Sequence, residues 1–190
     1  AYKEILKNYK EPKIVSLVAG IKSKKYLEIN KDIRFLRAMP NTSSRFNLGI
    51  TALYNCTFSR SDFKKIVMLF KKIGIIIEVE KESKLDTFTG MIGSGPAYFF
   101  YLLKSYEKKL IPLCDGDKDK ANYVMVNLIK GIGMSVENNK DLNKLIAAVA
   151  SKKGTTEAGL ESFKSNNLDK VFEEGISAAI RRSKEISNEF

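Results

Sequence analysis

The pattern of apolar residues changes at Asp86, and this change limits the folds that the 190-residue chain can adopt. Before Asp86, short apolar runs of strand type alternate with helical spacing, which is typical of an α/β sheet. After Asp86 no run of strand type remains, and the apolar residues repeat at helical spacing. The sequence therefore predicts α/β structure over residues 1–85 followed by all-α structure over residues 86–190.

Four apolar runs in the first part predict four strands. They cover residues 14–19, 33–39, 48–54 and 75–79. The first run is apolar nearly throughout, as a strand buried on both faces should be. The link between the second and third runs is short and carries the turn signal Pro40-Asn41-Thr42, so these two strands are predicted to be antiparallel.

Two helices are predicted among these strands. Apolar residues within positions 5–9 indicate a short N-terminal helix, and those within positions 63–70 indicate a longer one. Ser59 or Ser61 can cap the longer helix, and Gly74 supplies its stop.

A buried helix is predicted to open the second part of the chain. Gly93-Ser94-Gly95-Pro96 is a helix-start pattern, with a serine to cap and a proline in the first turn. The residues that follow, 98–103, are apolar on more than one face. Such a helix needs cover on all sides, which a small domain cannot easily provide alone. Together with apolar stripes over 121–132 and 168–180, it predicts a helical domain that forms a dimer or a higher homo-oligomer.

The loop over residues 151–159 combines a glycine, hydroxyl groups and two lysines directly before a predicted helix that starts near Glu157. The first N–H groups of a helix lack acceptors within it and carry partial positive charge, so this start can hold a carboxylate or a phosphate. An ordinary capped helix with solvated lysines explains the same spacing.

Composition removes several classes of site. The chain contains no histidine, which excludes histidine-based triads and zinc clusters. Cys56 and Cys114 form no close-spaced motif, so we interpret them as packing or surface thiols in a reducing cytoplasm. Asp115-Gly116-Asp117 lacks the later ligands of a calcium loop, and no metal site is predicted. No apolar run reaches transmembrane length, so no membrane association is expected.

The net charge of +11 raises nucleic-acid binding as an alternative. The lysines, however, are spread along the whole chain, and no stripe of basic and aromatic residues stands out. We interpret them as solvated helix faces and expect no nucleic-acid partner. Anionic small molecules suit such a surface.

Four segments, in this order, resemble pyrroline-5-carboxylate reductase over essentially the whole chain. They are Val18-Ala19-Gly20-Ile21, Arg37-Ala38-Met39-Pro40-Asn41-Thr42, Gly93-Ser94-Gly95-Pro96-Ala97-Tyr98 and the loop 151–159. The Met-Pro-Asn-Thr turn alone is a weak signal, whereas the combination is strong. The resemblance implies the C-terminal part of a dinucleotide-binding Rossmann-like domain over 1–85, then a helical dimerisation and substrate-binding domain over 86–190.

The resemblance implies reduction of the cyclic imine 1-pyrroline-5-carboxylate to L-proline by hydride transfer from NADPH or NADH, in cytoplasmic proline biosynthesis. It implies that the substrate carboxylate is held by Ser151, Gly154, Thr155 and Thr156. Thr156 is implied as the catalytic residue, orienting a hydrogen bond near the imine nitrogen. The residues implied to border the nicotinamide are Ala19, Gly20, Met39, Pro40 and Asn41.

The sequence departs from the family pattern in several places. The family loop usually reads Ser-Pro-Gly-Gly-Thr-Thr, and here Lys152 and Lys153 stand in the proline and first glycine positions. A lysine adopts positive φ at greater cost than glycine. Ile92 and Ser43 replace a usual serine and proline. No G-x-G-x-x-G segment follows a strand, so the sequence looks truncated at the N-terminal side, and the choice between NADPH and NADH is not visible.

Two other functions remain open on the sequence. One is a truncated, catalytically incompetent helical oligomerisation module, which the absence of the glycine-rich phosphate loop makes credible. The other is a related reductase of the same architecture that acts on a different imine or on a β-hydroxyacid.

Overall fold

The computed structural model describes residues 4, 8, 9 and 11–189. Ile5 and Leu6, on which the predicted N-terminal helix depends, lie outside the described residues. The chain forms two compact units: unit 1 holds the described residues up to Pro96 and those from Glu174 onward, and unit 2 is Ala97–Glu173. The expected functional division at residue 85 stays a prediction.

The strands of unit 1 form one four-stranded sheet in the order β1-β2-β3-β4. The strands are β1 (Lys13–Ser16), β2 (Arg34–Pro40), β3 (Gly49–Asn55) and β4 (Gly74–Glu78). β1 is parallel to β2, β3 is antiparallel to β2, and β4 is parallel to β3. The predicted antiparallel pairing of the second and third strands is therefore confirmed.

β1 is shorter and more exposed than the sequence indicated. It ends at Ser16, and Leu17 and Val18 are 55% and 49% exposed. Within the described residues β1 pairs with β2 alone, so it is an edge strand. The prediction of a strand through Ala19, buried on both faces, was wrong because the apolar run leaves the sheet after Ser16.

One face of the sheet is covered by helix α2 (Arg60–Phe70). Ser59 caps this helix as predicted, because its Oγ accepts a hydrogen bond from the Asp62 N–H at 3.2 Å. The apolar side of α2 packs against Leu36, Ala38 and Leu53. Alternation along β2 then directs Phe35, Arg37 and Met39 to the opposite face.

The opposite face is covered by α1 (Ser23–Leu27) and α3 (Lys84–Phe88). The Tyr26 ring stacks on Phe35 with 4.4 Å between ring centroids, and Leu85 and Phe88 pack with Met39.

The last helix, α8 (Leu168–Glu189), belongs to unit 1 from Glu174 onward. Ile186 lies against Gly20, and Ile180 lies against Gly90. The Ser187 hydroxyl donates to the buried carboxylate of Asp86 at 2.5 Å. Small residues thus allow close approach, and a hydrogen bond holds the helix in place.

Unit 2 is entirely helical in its described residues, so the predicted order of α/β structure followed by all-α structure is confirmed. Its helices are α4 (Gly95–Leu113), α5 (Lys118–Asn138), α6 (Leu142–Val149) and α7 (Thr155–Ser165), followed by the start of α8. α4 begins at the predicted Gly95-Pro96 start. A small core joins Leu110, Cys114 and Ala121. Phe100 and Tyr101 remain 65% and 76% exposed, so the described residues leave this side of α4 uncovered.

We expect Gly90→Ala to destabilise the fold. A Cβ at Gly90, which lies in the π-helical turn Thr89–Gly93, would stand 2.7 Å from the backbone nitrogen of Ile180. The substitution should lower the free energy of unfolding by about 1–3 kcal/mol, measured by urea denaturation. In the matched control Gly93→Ala, the new Cβ meets only Thr89 Cγ2 at 3.9 Å, and the change should stay within about 0.5 kcal/mol. Equal effects of the two variants would contradict the close contact.

Candidate active site

The residues predicted to border a nicotinamide follow the carboxyl ends of β1 and β2. Ala19 and Gly20 come after β1, Met39 and Pro40 end β2, and Asn41 follows it. β1 and β2 are parallel neighbours, so both segments lie at the same edge of the sheet. This edge is where α/β folds bind ligands.

Gly20 is required by both its backbone and its surroundings. Its φ is 80°, in the left-handed region that favours glycine. A Cβ there would stand 2.5 Å from the Ile186 side chain of α8. The neighbouring Ala19 is exposed, whereas Met39 is buried.

Asn41 fixes the turn between β2 and β3. Its N–H donates to the Ile50 carbonyl at 3.1 Å, and its Oδ1 accepts from the Ile50 N–H at 3.0 Å. The Asn41 carbonyl accepts from the Ser44 N–H at 3.2 Å. The side-chain oxygen is thus used within the fold, and its NH₂ group is the part that can meet a ligand.

A buried ion pair beside these segments was missed by the sequence reasoning. Arg37 is 2% exposed, and its Nη1 donates to Glu82 Oε1 at 3.0 Å. Glu82 also accepts from Ser23, at 2.7 Å from the backbone N–H and 2.8 Å from the hydroxyl. A buried charge requires pairing and hydrogen bonds. An arginine in the middle of a largely apolar strand was the available signal, but its partner is 45 residues away.

The ion pair forms part of a pocket of about 330 Å³ within unit 1. The residues that line it are Lys22, Arg37, Glu82, Ser83, Asp86, Lys184 and Asn188. Lys22, directly before α1, donates through Nζ to Asn188 Oδ1 near the end of α8 at 2.6 Å.

The Cys56 thiol lies near the same network. Burial raises the pKa of Cys56, a hydrogen bond with Ser23 lowers it, and the charge of Glu82 raises it, with a net rise. Cys56 and Cys114 are both free. A raised pKa disfavours the thiolate that a nucleophile or a metal ligand requires. Among the described residues, no group of three or more Cys, Asp or Glu side chains is placed to hold a metal ion.

The second set of predicted site residues lies in unit 2, at the turn before α7. The Gly154 N–H donates to the Ser151 carbonyl at 2.9 Å, which closes a β-turn with Lys152 and Lys153 at its centre. Lys153 has φ 58°, the left-handed conformation that the third position of a type II turn requires. The two lysines therefore occupy the turn positions that proline and glycine usually fill.

Ser151 occupies the position that a Cβ on residue 154 would need. A Cβ on Gly154 would collide with the Ser151 hydroxyl and would approach the Ser151 carbonyl to 2.9 Å. The turn therefore needs a residue without a side chain at this position.

The first N–H groups of α7 are open. The helix begins at Thr155, two residues before the predicted start. The Ala158 N–H donates to the Gly154 carbonyl at 3.2 Å. No acceptor within the described residues receives the N–H groups of Thr155, Thr156 and Glu157. Thr155 is exposed and Thr156 is half-buried, so an anion can approach these donors.

Three other helices, α2, α5 and α6, close their first turn with a side chain. Ser59, Asp117 and Asp141 each accept backbone N–H groups at the starts of α2, α5 and α6. Gly154, at the start of α7, has no side chain that can do this. The open donors are therefore specific to this turn among these four helices.

Glu157 supports the turn from within α7. Its Oε2 accepts the Lys153 N–H at 2.5 Å, so the carboxylate bonds to the residue in the left-handed conformation. The sequence reasoning missed this role. A glutamate three residues after the N-cap was the available signal, since this is the capping-box spacing.

Within the described part of the chain, no helix is long and apolar enough to cross a membrane.

We expect glycine to have opposite effects at the two central positions of the turn. A lysine in the left-handed conformation costs about 1–2 kcal/mol, and Lys153→Gly removes this cost. The greater chain entropy of glycine in the unfolded state offsets about 0.5–1 kcal/mol of the gain. The free energy of unfolding should rise by up to about 1 kcal/mol. Lys152, which has no positive φ, should show the entropy cost alone in Lys152→Gly. Urea denaturation at a fixed protein concentration measures both variants, and destabilisation by Lys153→Gly would contradict the turn geometry.

Comparison with known proteins relates both sets of residues to one family. The family model described as pyrroline-5-carboxylate reductase dimerisation matches residues 82–186. The pyrroline-5-carboxylate reductase of Pseudomonas aeruginosa is 29% identical over 182 residues, which are 94% of this chain and 66% of that protein. The reductase of Staphylococcus aureus (strain COL) is 32% identical over 179 residues, 92% of this chain and 65% of that protein. The chain thus spans just under two thirds of the length of these relatives.

The fold agrees with that of a solved pyrroline-5-carboxylate reductase structure. A pyrroline-5-carboxylate reductase from Coxiella burnetii superposes with a TM-score of 0.83 at 28% identity, covering 97% of this chain and 69% of that chain. The predicted fold class, part of a Rossmann-like domain followed by a helical dimerisation domain, is confirmed. The resemblance first indicated by four short motifs extends over the helical domain as a whole, and the chain belongs to the pyrroline-5-carboxylate reductase family.

Proposed function

We propose that this chain contributes to an oxidoreductase of proline biosynthesis, which reduces 1-pyrroline-5-carboxylate to L-proline by hydride transfer from NADPH or NADH. The observation that carries the proposal is the open N-terminus of α7, at the loop where the family resemblance puts the substrate carboxylate. The relatives that bear this name support the same reaction.

The carboxylate is the part of the substrate that α7 suits. The N–H groups of Thr155 and Thr156 and the hydroxyl of Ser151 can donate to its two oxygens. The absence of a side chain at Gly154 lets the Ser151 hydroxyl lie directly beside the start of the helix. The partial charge of the helix start favours an anion, and the exposed Lys152 and Lys153 add to it.

The reaction needs orientation more than a reactive side chain. When bound, a reduced nicotinamide supplies the hydride that goes to the imine carbon. Holding the carboxylate fixes the ring, so that its carbon–nitrogen double bond keeps one orientation. The Thr156 hydroxyl donates a hydrogen bond near the imine nitrogen. A threonine hydroxyl is a poor general acid, so water supplies the proton that the nitrogen takes up.

The edge of the sheet at β1 and β2 suits the nicotinamide end of the cofactor. Ala19 and Gly20 offer little side-chain bulk, and the Asn41 NH₂ group can donate to a carboxamide oxygen. Pro40, which is half-buried next to the buried Met39, supplies apolar surface for a ring face. The residues present therefore fit the group that the family implies.

We place the homo-oligomer interface on the helical domain and the protein in the cytoplasm. The exposed apolar side chains of α4 support a dimer or higher homo-oligomer. Two free cysteines that form no disulfide support a reducing compartment.

We expect Thr156→Ala to lower kcat for imine reduction about 10- to 100-fold, because a hydrogen bond to the reacting nitrogen is lost. Thr156→Ser keeps the hydroxyl and should stay within a few-fold of the unchanged protein. Ser165→Ala, at the exposed far end of α7, should have no effect. The assay is oxidation of NADPH with 1-pyrroline-5-carboxylate, using the protein as it occurs naturally with any residues that precede Ala1.

Unchanged kinetics in Thr156→Ala would remove Thr156 from the site. Reduction of a different imine or of a β-ketoacid, without pyrroline-5-carboxylate turnover, would favour a related reductase. No turnover and no thermal shift with NADPH or NADH would favour a helical oligomerisation module.

A further inference from the structure

We propose that Arg37 is a positioning residue for the Val18–Ser23 segment, whose Ala19 and Gly20 border the nicotinamide in the proposed function. The part of the inference that concerns kinetics rests on that proposed function. The part that concerns the segment itself rests on contacts within unit 1.

Arg37 contacts the first residue of the segment directly. Its Nη2 donates to the Val18 carbonyl at 3.3 Å, while the Val18 N–H donates to the Ser16 hydroxyl at 3.3 Å. Both backbone groups of Val18 are therefore bonded to side chains of the sheet. This matters because the Val18 side chain is half exposed and packs weakly.

The partner of Arg37 holds the last residue of the segment. Glu82 accepts from Ser23 through two hydrogen bonds, at 2.7 and 2.8 Å, and from Arg37 Nη1 at 3.0 Å. The Arg37–Glu82 pair thus bonds to residues 18 and 23 at once. The distance between the two ends of the segment is fixed by a single ion pair.

Gly20 lies between these two ends. Its φ of 80° and its contact with Ile186 leave little freedom for a displaced backbone. A shift of the Val18 backbone would therefore displace Ala19 and disturb the geometry that Gly20 requires. The guanidinium is planar, and its fork can donate in two directions, whereas an ammonium group has no such fixed geometry.

Stability alone does not explain the buried pair. The Arg37 side chain is 3% exposed and that of Glu82 is 20% exposed. An apolar residue of similar volume often replaces such a pair at little cost in stability. An apolar residue at position 37, however, could not donate to the Val18 carbonyl.

The test is Arg37→Lys, with Arg34→Lys as the matched control at the exposed first residue of the same strand. Arg37→Lys keeps the charge beside Glu82 and loses the fork. The KM for NADPH should rise about 10-fold, as expected for a lost hydrogen bond from a charged group. The KM for pyrroline-5-carboxylate should stay within about two-fold of the value for the unchanged protein, because the Arg37–Glu82 network contains no residue of the turn before α7. Arg34→Lys should change neither KM.

Amide hydrogen exchange gives a readout that does not need activity. The amides of Ala19, Gly20 and Ile21 should exchange faster in Arg37→Lys, while those of β3 keep their protection. If Arg37→Lys does not fold, Glu82→Gln serves instead: its amide oxygen keeps one acceptor for Ser23, its NH₂ group can donate to the Ser23 hydroxyl, and the charge that orients Arg37 is removed.

The outcomes separate the two proposals. Unchanged exchange over residues 19–21 would overturn the positioning role, whatever the activity. Equal rises in both KM values, with faster exchange throughout the sheet, would also overturn it, since they indicate general loosening. Faster exchange confined to residues 19–21 in a protein without reductase activity would support the positioning role and count against the proposed function.

Discussion

Three backbone N–H groups at the start of α7, those of Thr155, Thr156 and Glu157, have no acceptor within the described residues. Free donors at a helix start require a partner, from water or from a ligand. The preceding turn keeps them open, since Gly154 has no side chain and Glu157 bonds to the Lys153 N–H. The local geometry of this one turn therefore leaves three donors that an acidic ligand can use.

In unit 1, too, local contacts determine the backbone geometry of a predicted site. There, a buried ion pair and a glycine determine the backbone after β1, and the last helix packs directly on that backbone. Asn41 fixes the neighbouring turn through its two bonds to Ile50. The segments that would meet a cofactor are thus held by side chains beneath them, and their own side chains are small or apolar. Such an arrangement leaves a surface for a planar ring without a reactive group.

Local patterns predicted those features that depend on neighbouring residues. The Ser59 cap, the antiparallel β2–β3 pair and the Gly95-Pro96 helix start all follow from a few consecutive residues. The burial of β1 was predicted wrongly because it depends on which strands flank it. The Arg37–Glu82 pair joins residues 45 positions apart, so no local pattern could indicate it. The site residues taken from the family resemblance stay predictions.

Amide chemical shifts during a titration with L-proline test the open helix start most directly. The amide signals of Thr155, Thr156 and Glu157 should move together and saturate with one dissociation constant. The amide of Lys120, which already donates to Asp117 at the start of α5, should not move. Shifts confined to exposed lysines, or no shift at the three α7 amides up to saturating proline, would contradict a carboxylate site at this helix.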